Sequence, residues 1–297
     1  MMVAPEYYIF TGREVIPDHI THVLIDKALN FVRANAFRNH RNIKEVICHD
    51  GVEKIEREAF CNCPSLRRVI MPGVKVIKNM AFDYCKALTY IEGGKLEIIG
   101  GAAFQACESL NSIDMSSIKV VESYAFSDCT NLTNANFGKD LKLIGTGAFC
   151  NCPSLERITL PLKDGMVGGC ADNTFQACVK LNRVDPVGGV HETITALLLD
   201  KWKNDMNEEI NTINQILPNT PAGRIEFYAG IGEKAQVIGR WITSVRRKII
   251  RYKAEHRSYL NVAATTLQSS LPNEIVHKNI LPFLELPSHT FQGETSD

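Results

Sequence analysis

Apolar positions return along this chain at a fixed interval. Ala-Phe occurs at Ala36-Phe37, Ala59-Phe60, Ala81-Phe82, Ala103-Phe104, Ala125-Phe126 and Ala148-Phe149, and Thr174-Phe175 supplies a further copy. Successive phenylalanines are 23, 22, 22, 22, 23 and 26 residues apart. Three residues after each Phe stands Cys63, Cys85, Cys107, Cys129, Cys152 or Cys178, with His40 in the first copy. Three further on comes Leu66, Leu88, Leu110, Leu132, Leu155 or Leu181, with Ile43 first. Next in the same rhythm come Val46, Val69, Ile91, Ile113, Ala135, Ile158 and Val184. An aliphatic residue also precedes the phenylalanines by five, at Val32, Ile55, Ile77, Ile99, Val121 and Ile144, and Cys170 breaks that column. A period of this length marks a solenoid, in which no unit buries its own apolar face and stacking is obligatory.

Equivalent positions of stacked coils lie about 4.8 Å apart, so a column that must be apolar in one coil is apolar in all. Residues 66–71 and 155–160 alternate at period two near their ends, as half-buried strands do. They predict a parallel sheet along one face. The stretch ending in Ala-Phe-x-x-Cys reads as a short helix or turn on the opposite face. Alanine permits close approach of coils, and each Phe ring brings roughly 150–250 Å² of buried area.

After Gly188-Gly189 the period ends. Residues 191–217 predict a long helix, with Leu198, Trp202, Met206, Ile210, Ile213 and Leu217 on one stripe. Pro218 to Gly223 breaks it. A second helix is expected over 233–257, with Ile238, Trp241, Ile242, Val245, Ile249, Tyr252 and His256 on its apolar face. It is strongly basic through Lys234, Arg240, Arg246, Arg247, Lys248, Arg251, Lys253 and Arg257. A third segment, 271–284, has Pro in its first turn and Pro282 near its end. The expected organisation is an N-terminal segment (1–13), a solenoid of about seven repeats (14–189), a helical region (190–287) and a disordered tail (288–297). The helices are expected to cover the last coil, because an open solenoid end exposes strand groups and apolar side chains. A separate dimerising hairpin is the alternative.

Charge narrows the partners. The chain carries 33 basic and 33 acidic residues, so bulk attraction to nucleic acid is not indicated. The basic helix leaves a membrane surface or an acidic partner open. The N-terminus lacks a basic region followed by an apolar run, and no run reaches the ~18 residues that span a bilayer; a cytoplasmic protein is expected. Six of the ten cysteines belong to the repeat column, so they read as packed thiols, which behave as small hydrophobes. Cys61-x-Cys63 and Cys150-x-Cys152 lack the C-x2-C spacing of zinc sites. No phosphate loop, nucleophile elbow or metalloprotease motif occurs. The acidic residues are dispersed, so no enzyme, cofactor or metal is expected.

Ile144 to Cys152 (Ile-Gly-Thr-Gly-Ala-Phe-Cys-Asn-Cys), read with Leu155 to Pro161 (Leu-Glu-Arg-Ile-Thr-Leu-Pro), resembles the BspA-type leucine-rich repeat. The resemblance runs from about Val15 to Val187. It implies a curved α/β solenoid of stacked parallel strands, used in adhesion, recognition and scaffolding, with no catalytic residue. Residues 15–26 also resemble the first strand of intracellular members found in unicellular eukaryotes. The run Leu271-Pro272-Asn273-Glu274-Ile275 through Leu284 resembles the start of an F-box, which would imply a ubiquitin-ligase adaptor. A secreted or surface adhesin of the same fold is a further alternative.

In such a solenoid the strand side chains that do not point inward face the concave side. One such column reads Glu45, Arg68, Tyr90, Ser112, Asn134, Arg157 and Arg183; the other reads Ile47, Ile70, Glu92, Asp114, Asn136, Thr159 and Asp185. Arg and Tyr are enriched at protein interfaces, so these columns are the expected partner-binding surface of a scaffolding protein. Arg246, Arg247 and Arg251 on the basic helix are the secondary candidates.

Overall fold

A computed structural model describes residues 7–162, 173–187, 200–222 and 233–268. The repeat builds a solenoid with two rows of parallel strands. In the first row, a five-stranded sheet joins Tyr8–Phe10, His22–Ile25, Glu45–Ile47, Arg68–Ile70 and Tyr90–Glu92 in chain order. A three-stranded sheet continues the row through Asn134–Asn136, Arg157–Leu160 and Arg183–Pro186. Val23, Val46, Val69 and Ile91 lie in register and point into the core.

The second row was not anticipated. Phe31–Val32, Lys54–Ile55, Val76–Ile77, Ile98–Ile99, Val120–Val121 and Leu143–Ile144 pair into a six-stranded parallel sheet. Its buried members are the aliphatic column five residues before each Phe. Two residues per coil are too few to leave an alternating signature, so the row is visible only once the coils are stacked.

The face carrying Ala-Phe-x-x-Cys is built of turns, not of helix. The residues two before and two after every Phe from Phe37 to Phe149 in the column are left-handed: Glu58 and Asn62 about Phe60, Met80 and Tyr84 about Phe82, Ala102 and Ala106 about Phe104, these six with φ between 54° and 59°. Each such residue costs roughly 1 kcal/mol or more. The return is an inter-coil ladder: Glu58, Phe60 and Asn62 donate their N–H groups to the carbonyls of Asn79, Ala81 and Asp83 at 3.1, 2.7 and 2.7 Å.

Inside this face the Phe rings stack. Phe37, Phe60, Phe82, Phe104, Phe126, Phe149 and Phe175 form one column with centroids 4.7–5.9 Å apart and planes within 14°. Phe10 joins at 4.8 Å as a tilted first member. The Cys column has its own bond. Cys63, Cys85, Cys107, Cys129, Cys152 and Cys178 each donate S–H to the Phe carbonyl of the preceding coil, at 3.0–3.2 Å. A thiol is both the small apolar filler and the weak donor that this carbonyl meets. His40 replaces it in the first copy and turns its Nε2 to the Pro17 carbonyl at 3.1 Å.

The last coil is covered by two antiparallel helices, α1 (Asp200–Ile216) and α2 (Glu233–Gln268). Trp202 stacks on Tyr252 at 5.3 Å, and the Tyr252 hydroxyl donates to Asp205 at 2.7 Å. Trp241 donates its indole N–H to the Glu209 carbonyl at 3.0 Å. Leu217–Asn219 forms a 3-10 turn that ends α1 at Pro218. Hydrogen bonds tie this unit to the solenoid. Val184 N–H donates to Asn214 Oδ1 at 2.8 Å, Ala177 N–H donates to the Ala222 carbonyl at 2.7 Å, and Lys234 Nζ donates to the Leu181 carbonyl at 2.5 Å.

Helix α2 runs eleven residues past the expected end at Arg257, because Ser258 to Gln268 contains neither Gly nor Pro. Lys234, grouped by sequence with the basic face, is buried, and Lys248 is paired with Glu209 at 2.5 Å. The expected start of α1 at 191, Cys170, the segment 271–284 with its F-box resemblance and the tail 288–297 lie outside the described residues.

Candidate protein-binding surface

The outward residues of the first strand row stand in register. His22, Glu45, Arg68 and Tyr90 form one column; Ile9, Leu24, Ile47, Ile70 and Glu92 form the next. At the other end Asn134, Arg157 and Arg183 align, as do Asn136, Thr159 and Asp185. The two ends are separated. Ser112 and Asp114, expected as strand positions, are exposed on a segment that forms no strand, and the next link is a single bridge between Met115 and Phe137. Asp114 Oδ1 accepts the Ser116 N–H at 2.9 Å, and Ser112 donates to the Asn111 side chain at 3.2 Å. Short polar side chains that bond to their own neighbourhood compete with a ladder.

The N-terminal end is held rigidly. The Tyr7 hydroxyl donates to Glu45 at 2.6 Å, Arg68 pairs with the same carboxylate at 3.4 Å, and its guanidinium lies 5.1 Å over the Tyr90 ring. Tyr90 in turn donates to Glu92 at 3.2 Å. The bond to Glu45 holds the Tyr7 phenol above its ordinary pKa. Beside this polar chain the neighbouring column is apolar over four coils: Ile9 is 56% exposed, and Leu24, Ile47 and Ile70 are half-buried. Sequence reading missed Tyr7, Ile9, His22 and Leu24, because this first coil carries no Ala-Phe pair. The available signal was Phe10, which joins the ring column.

The C-terminal end is polar. Asp185 takes both Arg157 and Arg183, the latter at 3.0 Å, and Thr159 donates to Asn136 at 3.0 Å. Asn134 donates to the Thr133 hydroxyl at 2.9 Å.

The secondary candidates lie apart, on the outer side of α2. Arg247 and Arg251 are exposed, and Arg246 is half-buried. Arg251 lies 3.5 Å from Glu255 and 5.1 Å over the Tyr252 ring. The apolar face of α2, with Ile238, Trp241, Ile242, Val245, Ile249, Tyr252 and His256, is buried. Insertion into a membrane surface needs a free apolar face, so the helix offers an anionic surface its charge alone. No helix among the described residues is long and apolar enough to cross a membrane.

A cleft of about 620 Å³ opens where α1 ends and α2 begins, lined by Gln215, Asn219, Thr220, Gln236 and Arg240 among others. Its lining holds no nucleophile paired with a base. Among the described residues no group of His, Cys, Asp and Glu has metal-site geometry.

Residues 17–117 and 75–192 match the family model for the BspA type leucine rich repeat region, in six copies. Among solved structures, the chain is similar to a leucine-rich repeat protein of T. pallidum at 23% identity, covering 61% of this chain and 75% of that one, with a TM-score of 0.42. A leucine-rich repeat protein from Bacteroides ovatus is 18% identical over 57% of this chain and 61% of its own, with a TM-score of 0.30. The pneumococcal vaccine antigen PcpA is 14% identical over 57% of this chain and 55% of its own, with a TM-score of 0.32. No curated protein matches the chain.

Proposed function

Since the chain belongs to the BspA-type leucine-rich-repeat family, we propose that it is a non-enzymatic interaction or scaffolding protein that takes a protein partner on the outward face of its first strand row, the face expected to be concave. The observation that carries this reading is the juxtaposition at the N-terminal end of that row. An apolar column lies beside Arg68 and Tyr7, both fixed by Glu45, and beside Tyr90, which lies under the Arg68 guanidinium and donates to Glu92. Pre-set aromatic and Arg groups lose little freedom on binding, and an apolar centre with a polar rim is how interfaces are built. The thiol column supports a reducing compartment over the cell surface, because each thiol spends its proton on a carbonyl. Counting free thiols in protein taken from its own cells separates this from the adhesin alternative.

Charge reversal tests the surface. Arg68→Glu with Arg157→Glu places carboxylates beside Glu45 and Asp185 and is expected to weaken partner capture tenfold or more. Neutralising Arg246, Arg247 and Arg251 is expected to leave capture unchanged. The opposite pattern moves the site to α2.

A further inference from the structure

We infer that the occupant of the N-terminal end of this face is an amphipathic helix, lying along the solenoid axis over Leu24, Ile47 and Ile70 with an acidic shoulder toward Lys44 and Arg67. This deepens the reading above and rests on it. Three observations carry it.

The first is spacing. The apolar column Ile9, Leu24, Ile47, Ile70 follows the coil repeat, about 4.8 Å per step. A helix advances about 5.4 Å per turn, so residues at i, i+3 or i+4, i+7 and i+11 drift by only ~2 Å over three steps. An extended peptide repeats a face every ~6.7 Å and is out of step by ~6 Å over the same length. The column therefore matches a helix and not a strand.

The second is charge. On one side of the column stand Lys44, Arg67 and Arg68; Lys44 and Arg67 are exposed, and among the described residues neither has a carboxylate partner. Glu45 lies on that side too, but it is spent on Arg68 and Tyr7. On the other side stand Asp26, Lys27, His49 and Asp50. One rim is basic and the other is near neutral or acidic. A helix with acids on one shoulder satisfies this in one direction only, so the rims set polarity as well as affinity.

The third is the boundary. Beyond Ile70 the column turns to Glu92 and Asp114, which ends the apolar track after four coils and limits the occupant to about three turns.

The test is selection of displayed 14-residue helical peptides on the full chain, with the enriched peptide then labelled and titrated by fluorescence anisotropy. Enriched peptides are expected to carry apolar residues at i, i+3 or i+4, and i+7, with Asp or Glu on one shoulder. Affinity is expected to fall at least tenfold for Ile47→Ser with Ile70→Ser, and several-fold for Lys44→Glu with Arg67→Glu. The second pair is exposed and keeps the test decisive if the first impairs folding, which a thermal melt reports. Enriched peptides without this pattern overturn the inference. So does binding that survives both changes, or binding lost only on Ile98→Ser with Val120→Ser in the second strand row. If the protein partner's capture is lost with Arg157→Glu and Thr159→Arg but not with the Ile47 and Ile70 changes, the strand face stands and the helix inference falls. If capture ignores both sets, the strand-face reading itself falls.

Discussion

The side-chain oxygen of Asn214 accepts the Val184 N–H at 2.8 Å, where a carbonyl of one more coil would otherwise stand. Val184 lies on the last strand of the first row, and an unpaired strand edge is a template for aggregation. Lys234 closes the same end from α2, reaching the carbonyls of Cys178 and Leu181 at 3.1 and 2.5 Å. Burial lowers the pKa of its ammonium, a cost that the two carbonyls offset.

A chain ending at Gly189 is therefore expected to aggregate or to unfold at a lower temperature than the full chain, read by light scattering and calorimetry. Lys234→Met and Asn214→Ala each leave polar groups of the last coil unpaired and are expected to cost about 1–3 kcal/mol in denaturant titration. A full chain indifferent to both would mean that the helices stabilise the solenoid only by apolar cover.

The ring column gives a second expectation. Phe104 is fully buried between Phe82 and Phe126, at 5.2 and 5.3 Å. Phe104→Ala is expected to destabilise by roughly 3–5 kcal/mol, since both neighbours are held by their own coils and cannot collapse into the void. Urea unfolding of both proteins measures it; a loss below ~1 kcal/mol contradicts the column as core.

Thiol chemistry gives a third. Burial pushes the Cys48 thiol up to about 12 and the Cys61 and Cys150 thiols up to about 11, and raises Cys85, Cys107 and Cys152 well above their ordinary value. Reactivity belongs to the thiolate, so these six should resist alkylation at pH 7.5 until the protein unfolds. Mass spectrometry of timed iodoacetamide reactions reads this directly. Cys107→Ala removes the donor to the Phe82 carbonyl and is expected to cost about 1 kcal/mol.

Asp83 makes stability depend on pH. Burial raises its carboxyl to about 6, and its Oδ1 is buried without a hydrogen-bond partner. A raised carboxyl favours the protonated folded state, so its contribution is most favourable below the unfolded pKa near 4 and is lost as pH rises towards 6. Asp83→Asn should raise the melting temperature at pH 7.5 by on the order of 1–3 °C, and by less at pH 4. An equal shift at both pH values would mean that charge is not the cause.

The period of the phenylalanines was enough to read the solenoid, its Phe and Cys columns and the inward Val and Ile of the first strand row. Every coil repeats the same environment, so a residue's position within the repeat already states its neighbours. The apolar stripes of α1 and α2 were legible for a similar reason: Trp202, Met206, Trp241 and Val245 fall at helical spacing and are buried. The columns from Glu45 to Thr159 were legible as outward positions, though not the gap at Ser112 and Asp114, which local side-chain bonds decide.

What the tertiary structure alone decided lies where the repeat stops. Phe10 enters the ring column without an Ala-Phe pair, and with it Ile9 and Leu24 complete the apolar track. Lys234 looks like one more charge on a basic helix, yet it is buried because carbonyls 56 and 53 residues upstream need a donor. Contacts between a repeating and a non-repeating segment have no period to announce them. They are fixed by which polar groups the last and first coils leave open, and that is a property of the assembled stack.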